Sequence, residues 1–190
     1  PSDFSGIKST FEFAQFCAYS PYCNLISICI WNKIYKTSFI QDLSFTIRNK
    51  EDEIFFNDVY SKKGTVYCLP EFGYVYCENQ SISLSKSEFS PDNISYLYTL
   101  KERIKLFSDS TLIVNHSMKI YIELYISYFY LAKKANITPY EDKTTYKKYM
   151  KTLKKLGIID AKTYLRYLIF YISPGLYRKT LDMKYKNDII

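Results

Sequence analysis

All three prolines after residue 89 stand directly behind a residue suited to cap a helix: Ser90-Pro91, Thr138-Pro139 and Ser173-Pro174. Proline fits a helix's first turn, where its missing N–H costs nothing, and is excluded from later turns. The Ser or Thr before it offers an oxygen to a free first-turn N–H. Thr138-Pro139-Tyr140-Glu141 adds the Thr-x-x-Glu order of a capping box. Between these marks apolar residues recur at helical spacing: Leu97, Leu100, Ile104 and Phe107, then Tyr121, Leu124, Tyr128 and Leu131. The spacing predicts four or five helices over residues 90–190.

The first half reads differently. Phe11–Ala18 has helical apolar spacing, and Leu25–Tyr35 is apolar. Asp42–Arg48 reads as polar and extended. Glu51-Asp52-Glu53 then opens a helix that stops near Gly64, since first-turn acids meet the positive end of the helix dipole. Thr65–Leu69 and Phe72–Cys77, rich in Val and Tyr, predict two short strands. No Gly/Ser-rich linker separates the parts, so they are expected to pack together. The expected class is α/β, mostly helical, with a mixed part over 1–89 and a helical part over 90–190.

Composition narrows the chemistry. Hydrophobic residues are 47% of the 190, enough for a sizeable core. Five glycines, at 6, 64, 73, 157 and 175, spell neither G-x-G-x-x-G nor a phosphate-cradling P-loop. Nucleotide chemistry must then use another device, or a site outside this chain. The one histidine, His116, excludes His-rich metal sites and leaves a Ser-His-Asp triad open only through itself. Five cysteines (Cys17, Cys23, Cys29, Cys68, Cys77) form no C-x-x-C pair and read as buried free thiols in a reducing compartment. The most apolar run, Tyr121–Ala132, is broken by Glu123 and is far shorter than the roughly 20 residues of a membrane span. A cytoplasmic location is expected.

An ordered set of segments is more informative than any one of them. Ile30-Trp31-Asn32-Lys33-Ile34-Tyr35-Lys36 comes first, then Glu51-Asp52-Glu53-Ile54-Phe55. Val66-Tyr67-Cys68-Leu69-Pro70, Gly73-Tyr74-Val75-Tyr76 and Asn79-Gln80-Ser81-Ile82-Ser83 follow. From Ile30 to Ser83 this succession resembles the C-terminal half of bacterial family 2 glycosyltransferases of the GT-A fold. That family has a W-N-K-L-Y-K segment, an E-D-E-x-F motif, a strand ending in Pro, a Y-x-Y strand and an N-S-I-S-like stretch. Ser173-Pro174-Gly175-Leu176-Tyr177 is similar to the helical tails of such enzymes.

The resemblance implies roles. Asp52 would be the general base that takes the proton of the acceptor hydroxyl as it attacks the anomeric carbon of a nucleotide-sugar, with inversion. Glu51 would line the acceptor pocket or orient Asp52. Trp31 would stack on an acceptor sugar, or else fill the core. Lys33 would contact a phosphate or cap an element. Ser81 would donate to phosphate, or stand as a surface serine. Where many relatives carry Arg or His behind the aromatic strand, this chain has Cys77-Glu78. The family's divalent cation (Mg or Mn) is held by Asp-x-Asp, and no two Asp here are two apart. The resemblance therefore implies a piece of a longer enzyme, inactive alone, with its nucleotide-binding half outside this chain.

The net charge of +7 needs its own account. Lysines cluster at Lys143–Lys155 and Lys179–Lys186, interleaved with Tyr146, Tyr149 and Tyr185. No nucleic-acid motif accompanies them, and nucleic acid is not expected as a partner. Tyr164–Tyr171 with Lys162, Arg166, Arg178 and Lys179 gives a basic amphipathic tail, suited to the inner face of a membrane. The expected partners are thus a nucleotide-sugar donor, a saccharide or lipid-linked acceptor, the membrane surface and a second copy. The alternative function is a non-catalytic helical interaction or membrane-surface module.

Overall fold

The computed structural model describes residues 5–19, 30, 32–45, 51–69 and 89–179. Trp31, Ser81 and the expected strand Phe72–Cys77 lie outside them. The described residues are mostly helical, with one small two-stranded sheet.

The chain opens with β1 (Gly6–Ser9) and α1 (Thr10–Tyr19). The start of α1 is fixed by a reciprocal box. The Ser9 N–H and Oγ donate to Glu12 Oε2 at 2.8 and 2.7 Å, and the Glu12 N–H donates back to Ser9 Oγ at 3.1 Å. A single turn, α2 (Thr37–Ile40), precedes α3 (Glu51–Ser61) and β2 (Thr65–Cys68). The two strands pair antiparallel, Ile7 opposite Tyr67. Gly64 lets α3 turn into β2. A Cβ there would lie 2.7 Å from the Phe39 ring, and the Gly64 carbonyl accepts the Thr10 N–H at 3.0 Å.

The second half is helical, as the proline marks predict. Ser90 caps a 3-10 turn (Pro91–Ile94) that runs straight into α4 (Ser95–Leu106). Then come α5 (Thr111–Lys134), α6 (Lys143–Lys155) and α7 (Ala161–Ile172). Ser173 breaks α7, accepts the Leu176 N–H at 3.3 Å, and the chain is helical again over 174–179.

Two expectations about helices need correction. The Thr138-Pro139 box does not start a helix. Asp142 caps α6 instead, accepting the Thr145 N–H at 3.0 Å. The stripe Tyr121, Leu124, Tyr128 and Leu131 is also rotated from the true one. In α5 the buried residues are Ile113, Ser117, Met118, Tyr121, Ile122, Tyr125, Ile126 and Ala132, whereas Leu131 is exposed. This helix is apolar around most of its girth, so spacing alone does not pick its inner face.

The core lies in two clusters. The first holds Phe13, Ala14, Cys17, Phe55, Phe56, Val59 and Tyr60. Phe107 and Ile113 join it from the helical half, so that half closes the first core. The second cluster is built from α4 to α7 around Leu97, Leu100, Tyr121, Tyr146, Leu153 and Tyr167. At 24 residues α5 is about 36 Å long, and it reaches both clusters. The buried tyrosines keep their hydroxyls satisfied: Tyr146 donates to the Tyr167 carbonyl at 2.9 Å, and Tyr167 to Glu123 at 3.2 Å.

Candidate functional site

The first turn of α3 carries Glu51, Asp52 and Glu53, and the fold treats the three differently. Glu51 and Asp52 are half-buried, while Glu53 is only 3% exposed. One oxygen of Asp52 accepts the Glu53 N–H at 3.1 Å, which ties the carboxylate to the positive end of the helix.

Glu53 points into the protein and meets Arg103 of α4, Oε2 to Nη2 at 2.6 Å. The same Nη2 donates to the Glu53 carbonyl at 3.2 Å. Arg103 Nε donates to Asn57 Oδ1 at 2.6 Å, and Asn57 Nδ2 to the Thr99 carbonyl at 3.0 Å. The guanidinium lies over the Phe56 ring, 4.6 Å from its centre. Tyr96 also bonds the Glu53 carboxylate. Burial first, and the Glu53 charge second, push the Tyr96 hydroxyl pKa far up, so it stays a protonated donor. A buried ion pair holds only when its remaining polar atoms are satisfied, and this one satisfies them from both halves of the chain.

The segment 32–45 packs on the same helix. Tyr35 meets Phe55 edge-on, ring centres 5.3 Å apart, and Phe45 stacks on Phe55 at 4.9 Å. Burial raises the Tyr35 pKa to about 12, against a hydrogen bond with Tyr60 that lowers it. Lys62 at the end of α3 donates to the Phe39 carbonyl at 3.0 Å and pairs with Asp42. The structure therefore brings the Asn32–Lys36 stretch and the Glu51–Phe55 stretch together. Lys33 is half-buried. Its Nζ donates to Asn32 Oδ1 at 2.6 Å. Lys33 also approaches Cys68, where it and Lys8 oppose the upward push that burial gives the thiol.

Sequence reasoning named Glu51 and Asp52 and gave Glu53 no role. The partners that single out Glu53, Arg103 and Asn57, are ordinary helix residues in sequence. The signal that was present is Arg103 inside the apolar stripe Leu97, Leu100, Ile104, Phe107.

Other candidate chemistry does not assemble among the described residues. His116 makes no hydrogen bond to a serine or carboxylate there; burial, then Arg103 and Lys119, lower its pKa. Among the described residues no group of three His, Cys, Asp or Glu could hold a metal ion. A cleft of about 20 Å³ lined by Tyr125, Phe129, Phe170 and Tyr171 has room for about one water, not a sugar.

Asp142 is a second polar hub. Its Oδ2 accepts Lys101 Nζ at 2.9 Å, the Tyr140 hydroxyl at 3.2 Å and the Tyr121 hydroxyl at 3.3 Å. Burial opposes its ionisation, but Lys101 and Thr145 outweigh burial and hold its pKa down at about 2. This hub joins α4, α5 and α6 and is closed by its own partners, so it is a clamp. No helix among the described residues is long and apolar enough to cross a membrane. Comparison with family models, curated proteins and solved structures gives no match.

Proposed function

We propose that the chain is the acceptor-side part of an inverting GT-A glycosyltransferase acting in cell-surface polysaccharide synthesis at the inner face of the membrane. The observation that carries this reading is the split among three adjacent acids. Glu53 is spent on Arg103, while Asp52 is half-buried at the helix start with the Asn32–Lys36 stretch packed on the same helix. Neighbouring carboxylates given unlike environments are the usual source of unlike chemical roles.

In this reading Asp52 accepts the proton of an acceptor hydroxyl as the oxygen forms its bond to the anomeric carbon. The bond from that carbon to the diphosphate breaks on the opposite face, and the nucleoside diphosphate leaves with the electron pair. Glu51 orients Asp52 or lines the acceptor pocket, and Trp31 offers a ring to the sugar. Lys33 and Ser81 serve the phosphate side. Lys33 fits that duty least, since its ammonium is engaged with Asn32. The divalent cation belongs to residues outside this chain, and no step here runs through it.

The reading requires an upstream coding sequence with an Asp-x-Asp motif roughly one small domain before Trp31. Extended by that segment, the protein should bind a nucleotide-sugar, with affinity lost on chelation of divalent cations; calorimetry measures it. An upstream sequence without the motif would sink the proposal.

The second reading, a membrane-surface module, is favoured by the outer face of α7.

A further inference from the structure

Helix α7 is apolar on both of its sides. Its inner side buries Tyr167 and Phe170. Its outer side follows the 3-4-3 helical spacing of Lys162, Leu165, Ile169 and Ile172, with Arg166 beside it. Leu165 is 55% and Ile172 71% exposed, and Ile169 between them is half-buried, with part of its side chain against the second core. Leu176, 53% exposed, continues the stripe past the break at Ser173. Leu156 and Ile158, in the turn that enters α7, are also exposed. A helix on a water-facing surface has a polar outer side, and single exposed leucines are common. Three exposed aliphatic side chains on one side, Leu165, Ile172 and Leu176, with two more in the turn before, are neither, and they call for a cover.

The charge around the stripe says what kind. Residues 143–179 hold ten Lys or Arg and one acid, Asp160. The whole chain carries only +7, so the remainder is net negative. All six lysines of α6 are exposed; Lys154 and Lys155 directly precede Leu156, and Arg178 and Lys179 follow Leu176 closely. A second copy meeting this face symmetrically would set these cations against themselves. Nucleic acid would want exposed rings to stack on. The tyrosines of α7 are not offered: Tyr167 is buried and bonded to Glu123, Tyr171 stacks on Tyr146, and Tyr164 is half-buried against the second core. An aliphatic stripe within a cationic rim matches an anionic lipid surface, hydrocarbon below and phosphate above.

We propose that the outer face of α7, with the Leu156–Ile158 turn and Leu176, seats this protein on an anionic membrane surface. The span Tyr164–Tyr171 with its flanking cations reads in sequence as a basic amphipathic tail; the structure puts Leu165 and Ile172 on its exposed side and buries Tyr167. The proposal stands on surface charge and exposure and does not depend on the transferase reading.

Vesicle sedimentation of the full chain tests it. The chain should sediment with vesicles of equal parts phosphatidylcholine and phosphatidylserine, less at high salt, and not with phosphatidylcholine alone. Leu165→Ser with Ile172→Ser should lower partitioning by about tenfold or more. Lys162→Gln and Arg166→Gln should each lower it roughly fivefold. These side chains are exposed, so circular dichroism should show unchanged folding. No sedimentation with the mixed vesicles, or equal sedimentation of the double serine variant, would overturn the proposal. So would analytical ultracentrifugation without lipid, if it finds a dimer that the serine changes dissolve.

Discussion

Glu53 and Arg103 show how much one pair of residues decides. They are 3% and 7% exposed, and the pair joins α3 to α4 across the two halves. Arg103→Met should leave a buried carboxylate without its cation and cost about 3–5 kcal/mol in urea unfolding. Adding Glu53→Met should recover part of that loss, because no charge is then left buried, although Asn57 Oδ1 still loses the Arg103 donor. Full additivity of the two changes would contradict the coupling. In the sequence, the acids of 51–53 were legible as a helix start, since all three sit in the first turn. Which of them turns inward was not. That choice is made by a guanidinium fifty positions on.

Elements were legible where a local signal was unopposed. Ser90-Pro91 and Ser173-Pro174 begin helical turns because nothing competes for their caps. Thr138-Pro139 is overridden because Asp142 serves several partners at once: Lys101, Tyr121, Tyr140 and the Thr145 N–H of α6. The pairing has a pH signature. The folded pKa is about 2 against an ordinary 3.8, so ionised Asp142 stabilises the fold above about pH 4. The contribution is lost as pH falls through about 2. Asp142→Asn keeps the capping oxygen but removes the charge. Its unfolding free energy should fall about 2 kcal/mol below the wild type at pH 7, and the gap should close between about pH 4 and 2. A gap that persists at pH 2 would assign the loss to packing instead of charge. The inner face of α5 was illegible for a different reason: Ile113 serves one core and Met118 to Ile126 another, so several faces are apolar.

At the scale of the molecule, a mixed half and a helical half share their packing. Phe107 and Ile113 close the first core, and the Glu53–Arg103 pair bridges to α4. Charge is divided the other way, with the cations gathered over 143–179 and the three first-turn acids of α3 in the mixed half. The order of segments from Ile30 to Ser83 is local sequence pattern, and Trp31 and Ser81 lie outside the described residues. The roles of Trp31 and Ser81 rest on that order alone. The central claim concerns one carboxylate, Asp52, and its most direct test is turnover. In the protein extended by its upstream segment, Asp52→Asn should lower the rate of nucleoside-diphosphate release to acceptor by about 10²–10⁴-fold. Nucleotide-sugar affinity should stay at the wild-type value, and unfolding free energy should fall by no more than about 1 kcal/mol, the worth of a charge at a helix start. An Asp52→Asn protein that turns over at the wild-type rate would contradict the account.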